Sequence, residues 1–295
     1  MKRDLDVALC LDDNYVKPAT AVIKTLQEHN PSLQKNVFVV YKQLSSDSLA
    51  LLQSCCDALT HLVFKRADVS IKNVGPKNHV SSAAFIKIEL VKVLEELDTV
   101  LYLDADMAVT GSLSELTDLN LDNYFLAAVE NPFFKRHDEL EVDKNFFYFN
   151  SGMMLLNLKF MRENDFYSKA HLVIRNEAKK LMFHDQDVFN IVADGKVLQL
   201  PIEFNFQTFY LRKIHKFDRL RRRGILSVYP NVKIMHYSSG IKPWKALDPH
   251  PAKDKFREFY SYPIINDYDI TTSIKYAIRF LYVKLYYFIY LTLKL

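Results

Sequence analysis

Short, almost wholly apolar runs recur along the chain, and the stretches between the early ones carry helical spacing. The runs are Asp6–Leu11 (DVALCL), Val37–Tyr41 (VFVVY), Thr99–Leu103 (TVLYL), Phe125–Val129 (FLAAV) and Gly152–Leu156 (GMMLL). A strand that is apolar on nearly every side chain has to be covered on both faces, as in a parallel sheet. Helical patterns at Ala19–His29 behind Pro18, at Ser46–Cys56 and at Ala83–Leu97 supply that cover. The expectation is an α/β fold with a mostly parallel sheet flanked by helices. Short strands after Lys196 and Asn231 are expected to complete it. A chain of 295 residues, 49% hydrophobic, can bury a sizeable core as one large domain or two small ones. No internal repeat or low-complexity linker divides it. The expected division is a catalytic domain over residues 1–265 and a C-terminal tail over residues 266–295.

Charge separates that tail from the body. The formal net charge is +4, and the four bases after Asp269 (Lys275, Arg279, Lys284, Lys294), with no acid among them, account for all of it. A neutral body argues against nucleic acid as a partner, which needs a basic face. In the tail, Ile274, Ile278, Leu281, Leu285, Phe288 and Leu293 fall roughly on one helical face among many aromatics. A membrane span needs about 20 apolar residues and few charges. An interfacial helix wants basic residues, bulky aromatics and an apolar face. A plain core helix is the third reading, and all three stay open. Leu211–Gly224 (LRKIHKFDRLRRRG) reads as a basic surface loop or short helix. The three cysteines, Cys10, Cys55 and Cys56, form no disulfide framework, so a reducing compartment is expected. Asp4 and Asp6 interrupt the basic start, which reads as a first strand and not as a signal peptide.

The sharpest local feature is Val100-Leu-Tyr-Leu-Asp104-Ala-Asp106. Ligands of open α/β sheets bind beyond the carboxyl ends of strands. Two carboxylates there suit a hard divalent cation that shares its remaining positions with substrate phosphates. Alone, the pair is also compatible with a solvated turn. A haloacid-dehalogenase-like phosphatase using Asp104 as nucleophile is a weaker reading, because Ala108 stands where that chemistry usually has Thr or Val and the motif is not on an N-terminal strand.

Other polar clusters lie at the ends of apolar runs. Asp12-Asp13-Asn14-Tyr15 closes the first strand and reads either as ribose or base recognition or as a helix cap. Asn150-Ser151-Gly152 lies within an apolar stretch, where Gly152 marks a close ligand approach or a bulge. His184-Asp185-Gln186-Asp187 suits sugar hydroxyls or an acidic helix N-terminus. Val232–Trp244 (VKIMHYSSGIKPW) delivers His236, a Ser-Ser-Gly turn and Lys242. Neutral imidazole is a good Mn²⁺ ligand, and a lysine meets a diphosphate as a point charge.

Taken in order, D-D-N-Y, H-x-S, L-Y-L-D-x-D, F-N-x-G, D-Q-D and H-x-x-x-G-x-K-P-W resemble glycosyltransferase family 8, the retaining enzymes that include glycogenin and bacterial lipooligosaccharide galactosyltransferases. The resemblance covers Asp6 to Trp244. It implies a GT-A fold and a UDP-glucose or UDP-galactose donor. It implies Mn²⁺ or Mg²⁺ held by Asp104, Asp106 and His236. Asp12 and Asn14 match contacts to the donor nucleotide, and Lys242 matches the diphosphate lysine. Asp185 matches a residue holding donor-sugar hydroxyls, and Gln186 the residue nearest the sugar's reactive face. His79 matches a loop over the donor, and Ala105, Asn150, Ser151, Ser239 and Gly240 fall in the donor site with it. Two positions depart from the family pattern. Lys87 stands where Arg is frequent, and Ser239 precedes Gly240 where Gly is frequent.

The resemblance further implies retention at the anomeric carbon. Gln186 is an amide and a poor nucleophile, so attack by the acceptor hydroxyl on the face that UDP leaves is favoured, with Glu130 orienting that hydroxyl. The expected acceptor is a glycan or glycolipid, with lipopolysaccharide or lipooligosaccharide leading. The expected location is cytoplasmic, peripheral on an anionic membrane surface at the inner face. A non-catalytic relative that binds sugar nucleotides remains an alternative beside the phosphatase.

Overall fold

The computed structural model describes residues 4–68, 85–240, 242–265 and 270–293. His79 lies outside the described residues. The chain forms two compact units, one of Met1–Val16, Ser32–Ala105 and Ser114–Leu200, the other of Lys17–Pro31, Asp106–Leu113 and Pro201–Leu295. In chain order the strands are β1 (Leu5–Leu11), β2 (Lys35–Tyr41), β3 (Thr60–Arg66), β4 (Thr99–Leu103), β5 (Met107–Val109), β6 (Leu126–Glu130), β7 (Phe149–Asn157), β8 (Val197–Gln199), β9 (Phe206–Gln207) and β10 (Ile234–His236).

The first unit holds a seven-stranded sheet in the order β3-β2-β1-β4-β7-β6-β8. β1 runs parallel to β2 and β4, β2 to β3, and β6 to β8. β7 is antiparallel to both its neighbours. Four of the six pairings are parallel, so the sheet is mostly parallel, as the apolar runs led one to expect, and β7 makes it mixed. The link from β6 to β7 carries only the four-residue helix His137–Leu140, too little for a crossover, so the chain returns from the edge at which β6 ended. Between the pairs Ala128–Met154 and Glu130–Phe149 the register shifts, β7 using five residues where β6 uses two, so the irregularity falls on the β7 stretch that holds Gly152. These pairings put the carboxyl ends of β1, β4 and β6 and the amino end of β7 at one sheet edge. A single apolar cluster holds the sheet and its helices, with Phe38, Tyr102, Phe149, Phe166 and Phe189 among its largest buried side chains. Each such ring contributes about 1.5–3 kcal/mol by leaving water.

The second unit holds a three-stranded sheet, β5-β10-β9. β10 is antiparallel to β5, with His236 opposite Met107, and parallel to β9, with His236 opposite Gln207. Residues 17–29 of the helix Val16–His29 belong here. Buried Thr25 accepts from the Val109 amide at 3.1 Å, and Asn30 accepts from Leu113 N at 2.8 Å. The basic segment 211–224 forms parts of two helices, Thr208–Arg212 and Arg219–Val228, the second capped by Asp218, which accepts from Arg221 N.

The tail is one helix, Ile270–Leu293, packed on those two helices. Among its described residues Ser273 and Phe280 are buried, with Phe280 edge-on to His250 at 5.2 Å between ring centres. The row Ile274, Ile278, Leu281, Leu285 and Phe288 faces outward, between 53% and 65% exposed, so a core role for that row is corrected. Among the described residues no helix is long and apolar enough to cross a membrane.

Asp248 and His250 are buried, and the His250 ring meets Phe280 of this helix. Burial raises the Asp248 carboxyl to about 6 and lowers the His250 imidazole to about 3. Because the folded Asp248 keeps its proton longer than the unfolded one, its contribution is full below about 4 and is lost as pH rises through about 6. Asp248→Asn is therefore expected to raise stability at pH 7–8 by about 2 kcal/mol and to change little at pH 4, read by urea unfolding at both pH values.

Candidate functional site

The first unit gathers charge at its sheet edge. β4 ends at Leu103, and the Asp104 amide donates to Gly152 O of β7 at 2.8 Å, which fixes where Asp104 leaves the sheet. Strand alternation puts Tyr102 on the same face as Asp104, and its hydroxyl donates to Asp104 Oδ1 at 2.6 Å. Burial, then the Asp104 charge, raises the phenol well above its usual range, so it remains a donor.

Lys87, on the helix Ile86–Val93, ties the edge together. Its Nζ lies 3.0 Å from Asp104 Oδ1 and 2.9 Å from Asp185 Oδ2, and it donates to Ser151 O at 3.4 Å. It also sits 4.8 Å from the centre of the Tyr102 ring. Burial works against the ammonium, but the two carboxylates outweigh it and hold Lys87 above the usual lysine range. Cys10, near the end of β1, has its thiol pushed far up by burial and is no nucleophile at neutral pH.

Asp185, Gln186 and Asp187 open the helix Asp185–Ala193. The residue before them, His184, has φ 50° and ψ −115°, a left-handed conformation that costs a non-glycine residue energy. Ser151 Oγ donates to Asp185 Oδ2 at 2.8 Å. Gln186 Oε1 accepts from Asn150 Nδ2 at 2.9 Å and from Ser151 N at 3.3 Å, while its Nε2 donates to Tyr148 Oη at 3.2 Å. Asp187 is fully buried and accepts from Tyr148 Oη, Phe183 N and Arg136 Nη1 at 2.5, 2.8 and 3.4 Å. With both oxygens engaged and no exposure, Asp187 is a framework residue and not an attacking one.

Asp12 and Asn14 leave the end of β1 in a turn in which Asp12 Oδ1 accepts from Asn14 N at 3.0 Å. Asp13 points elsewhere, accepting from Ser45 and Ser48 at the start of the helix Ser46–Gln53. Glu130 ends β6, with Gln199 Nε2 at 3.5 Å from Oε2, a weak contact. Ala105 is buried.

The second unit carries Asp106, His236 and Lys242. The Tyr237 amide donates to Asp106 O at 3.0 Å, which sets Asp106 beside the end of β10. Asp106 Oδ1 lies 3.4 Å from His236 Nε2, and Lys242 Nζ donates to Asp106 Oδ2 at 2.5 Å and to Tyr237 O at 3.1 Å. Burial opposes ionisation of Asp106, but the Lys242 ammonium and then His236 hold its carboxyl far below the usual range. The other ring nitrogen, His236 Nδ1, is 2.9 Å from Asn205 Oδ1. Arg257 braces the turn after Lys242, donating from Nε to Pro243 O and from Nη2 to Lys245 O, both at 2.7 Å. Ser239 N donates to Tyr237 O at 2.8 Å, and a Cβ on Gly240 would meet no atom within 4 Å.

The Asp106–His236 pair fits one cation. Two ligands about 2.1 Å from an octahedral ion and at right angles are about 3 Å apart, close to the 3.4 Å between Asp106 Oδ1 and His236 Nε2. Carboxylate oxygen with imidazole nitrogen is a donor set for Mn²⁺ or a similar divalent ion.

Several residues here escaped the reading of the sequence. Tyr102 was legible from its spacing to Asp104. Asn205, Tyr148, Arg136 and Arg257 were not, because each meets its partner only after folding.

A family model described as Glycosyl transferase family 8 matches residues 6–248. General stress protein A of Bacillus subtilis is 25% identical over 273 residues, 89% of this chain and 96% of that protein. A lipopolysaccharide 1,2-glucosyltransferase of Escherichia coli is 30% identical over 255 residues, 84% of this chain and 75% of that protein. Among solved structures, the galactosyltransferase LgtC in complex with donor and acceptor sugar analogs superposes with a TM-score of 0.77 at 21% identity, over 91% of this chain and all of that one. That likeness carries the fold, a GT-A-like mixed sheet flanked by helices.

Proposed function

The chain belongs to glycosyltransferase family 8, the retaining glycosyltransferases, and from that premise we propose that it moves a glucose or galactose unit from UDP to a glycan acceptor. The observation that carries this reading is the Asp106–His236–Lys242 cluster, a cation site with an ammonium for a diphosphate beside it. Asp104 joins that cluster as the third ligand. Only Ala105 separates it from Asp106, which holds the two Cα atoms within about 7 Å. A divalent ion bound by Asp104, Asp106 and His236 would neutralise charge on the UDP leaving group.

The remaining roles follow from the residues. Lys242 exchanges Asp106 for a donor phosphate, adding a point charge where negative charge develops. The backbone near Ser239 and Gly240 lies open to the same phosphates. Asp12 and Asn14 serve the nucleotide, and His79 the loop over it. Ala105 and Asn150 line the donor. Asp185, held by Lys87 and Ser151, takes sugar hydroxyls. The acceptor oxygen bonds to the anomeric carbon on the face from which the diphosphate oxygen departs, and that oxygen receives the hydroxyl proton. Glu130 orients the hydroxyl. Gln186, its amide tied at both ends, lines the opposite face without attacking. Residues 1–265 carry this chemistry. The framework role of Asp187 and the amide at Gln186 disfavour a covalent intermediate, and a glycosyl adduct trapped on either residue would overturn this route.

A membrane role for residues 266–295 rests on the outward apolar row of the last helix. Exposed Lys275 and Lys284 stand on either side of it at 100° per residue, positions from which cations reach lipid headgroups. The acceptor is then a lipid-borne glycan such as lipopolysaccharide core, met at the cytoplasmic face. In the full chain, Leu281→Glu with Leu285→Glu is expected to weaken sedimentation with anionic vesicles at least tenfold and leave UDP release unchanged. Undiminished vesicle binding would end this part of the proposal. A panel of UDP-sugars assayed for UDP release with Mn²⁺ and with chelator tests the main reading. Metal-stimulated release from UDP-glucose or UDP-galactose supports it. Phosphate release from simple esters without UDP-sugar turnover would favour phosphatase chemistry at Asp104.

A further inference from the structure

His236 offers only one of its two ring nitrogens toward Asp106, and the other decides what that nitrogen can do. Nδ1 lies 2.9 Å from Asn205 Oδ1, and both residues are buried, at 3% and 0% exposure. An amide oxygen can only accept. A cation shared by Asp106 Oδ1 and His236 Nε2, 3.4 Å apart, needs the Nε2 lone pair, and Nδ1–H donating to Asn205 Oδ1 is the arrangement that presents it. Asn205 is itself fixed, at the end of the short helical turn Ile202–Asn205 and immediately before β9, which pairs with β10 one residue further on. Thr208 Oγ1 also donates to His236 O at 3.1 Å, pinning the backbone from the same segment.

We propose that Asn205 is a positioning residue that sets the His236 tautomer and ring orientation for cation binding. The inference rests on the metal reading above and deepens it. Partners of this kind raise the basicity of a ligating imidazole, and their loss typically weakens metal affinity 10–100-fold. Aspartate can only accept as well, so Asn205→Asp keeps the tautomer, whereas Asn205→Ala and Asn205→Leu release it.

The test titrates the full chain with Mn²⁺ alone, followed by the electron paramagnetic resonance signal of free Mn²⁺. Asn205→Ala and Asn205→Leu are expected to bind 10–100-fold more weakly than the unsubstituted protein, and Asn205→Asp within about threefold of it or tighter. Nitrogen-15 spectra of the unsubstituted protein are expected to show His236 protonated on Nδ1, a readout that needs no variant to fold. Wild-type Mn²⁺ affinity in Asn205→Ala, or a proton on Nε2, would overturn the assignment. If the unsubstituted protein and Asp106→Asn take up Mn²⁺ equally poorly, the metal reading fails, and the His236 spectrum still decides whether Asn205 sets the tautomer.

Discussion

Asp106→Asn is expected to lower metal-stimulated UDP release by about a thousandfold, with the folded state retained. The substitution keeps shape but removes the charge that a divalent ion needs, and charge stabilisation by such an ion is worth several kcal/mol, about 1.4 kcal/mol per decade of rate. Asp106 is also the partner of Lys242 at 2.5 Å and of His236 at 3.4 Å, so the variant also removes the negative charge that faces both. Asp104→Asn is expected to behave alike. Release of UDP over a Mn²⁺ titration, with circular dichroism as the control for folding, checks both. Full activity of either variant in chelator would sink the metal assignment.

Lys87→Met is expected to be the most damaging change on the first unit's sheet edge. Its ammonium stands 3.0 Å from Asp104 and 2.9 Å from Asp185 and is only 11% exposed, so its removal takes away the cation that the two carboxylates share. Breaking a buried pair costs about 3–5 kcal/mol. Asp104 is 28% exposed, and water reduces that to about 2 kcal/mol. Losing one preorganised charge from the donor pocket is expected to lower kcat/KM on the order of a hundredfold. Lys87→Arg is expected to restore most of both quantities, because a guanidinium fork can serve two carboxylates at once. Thermal unfolding and donor kinetics on the two variants check this. Equal loss in Lys87→Met and Lys87→Arg would show that shape at this position matters more than charge.

Much of the architecture could be read from the chain because burial leaves a mark on composition. Fully apolar runs announced β1, β2, β4, β6 and β7, and each carboxylate or amide cluster at the end of a run fell at a strand or helix terminus. The direction of β7 left no such mark, since an apolar run reads alike whichever way the strand points. It followed from the link between β6 and β7, which holds too little helix to cross the sheet. The last helix divides the same way. Its apolar row was visible in the spacing, but that Ile274, Ile278, Leu281, Leu285 and Phe288 face outward while Ser273 and Phe280 are buried was decided by the tertiary packing.

By itself the sequence determined the α/β class and the family, and it singled out Asp104, Asp106, His236, Lys242, Asp185 and Gln186 as candidates, because spacing within a strand or turn is local. Only the tertiary structure decided how those groups are held. Lys87 meets Asp185 across 98 positions of chain, Lys242 meets Asp106 across 136, and Asn205 meets His236 across 31. None of these pairs shares a secondary-structure period. Each exists because burial and sheet pairing bring distant segments together within one unit, where an unpaired charge or ring nitrogen would be costly.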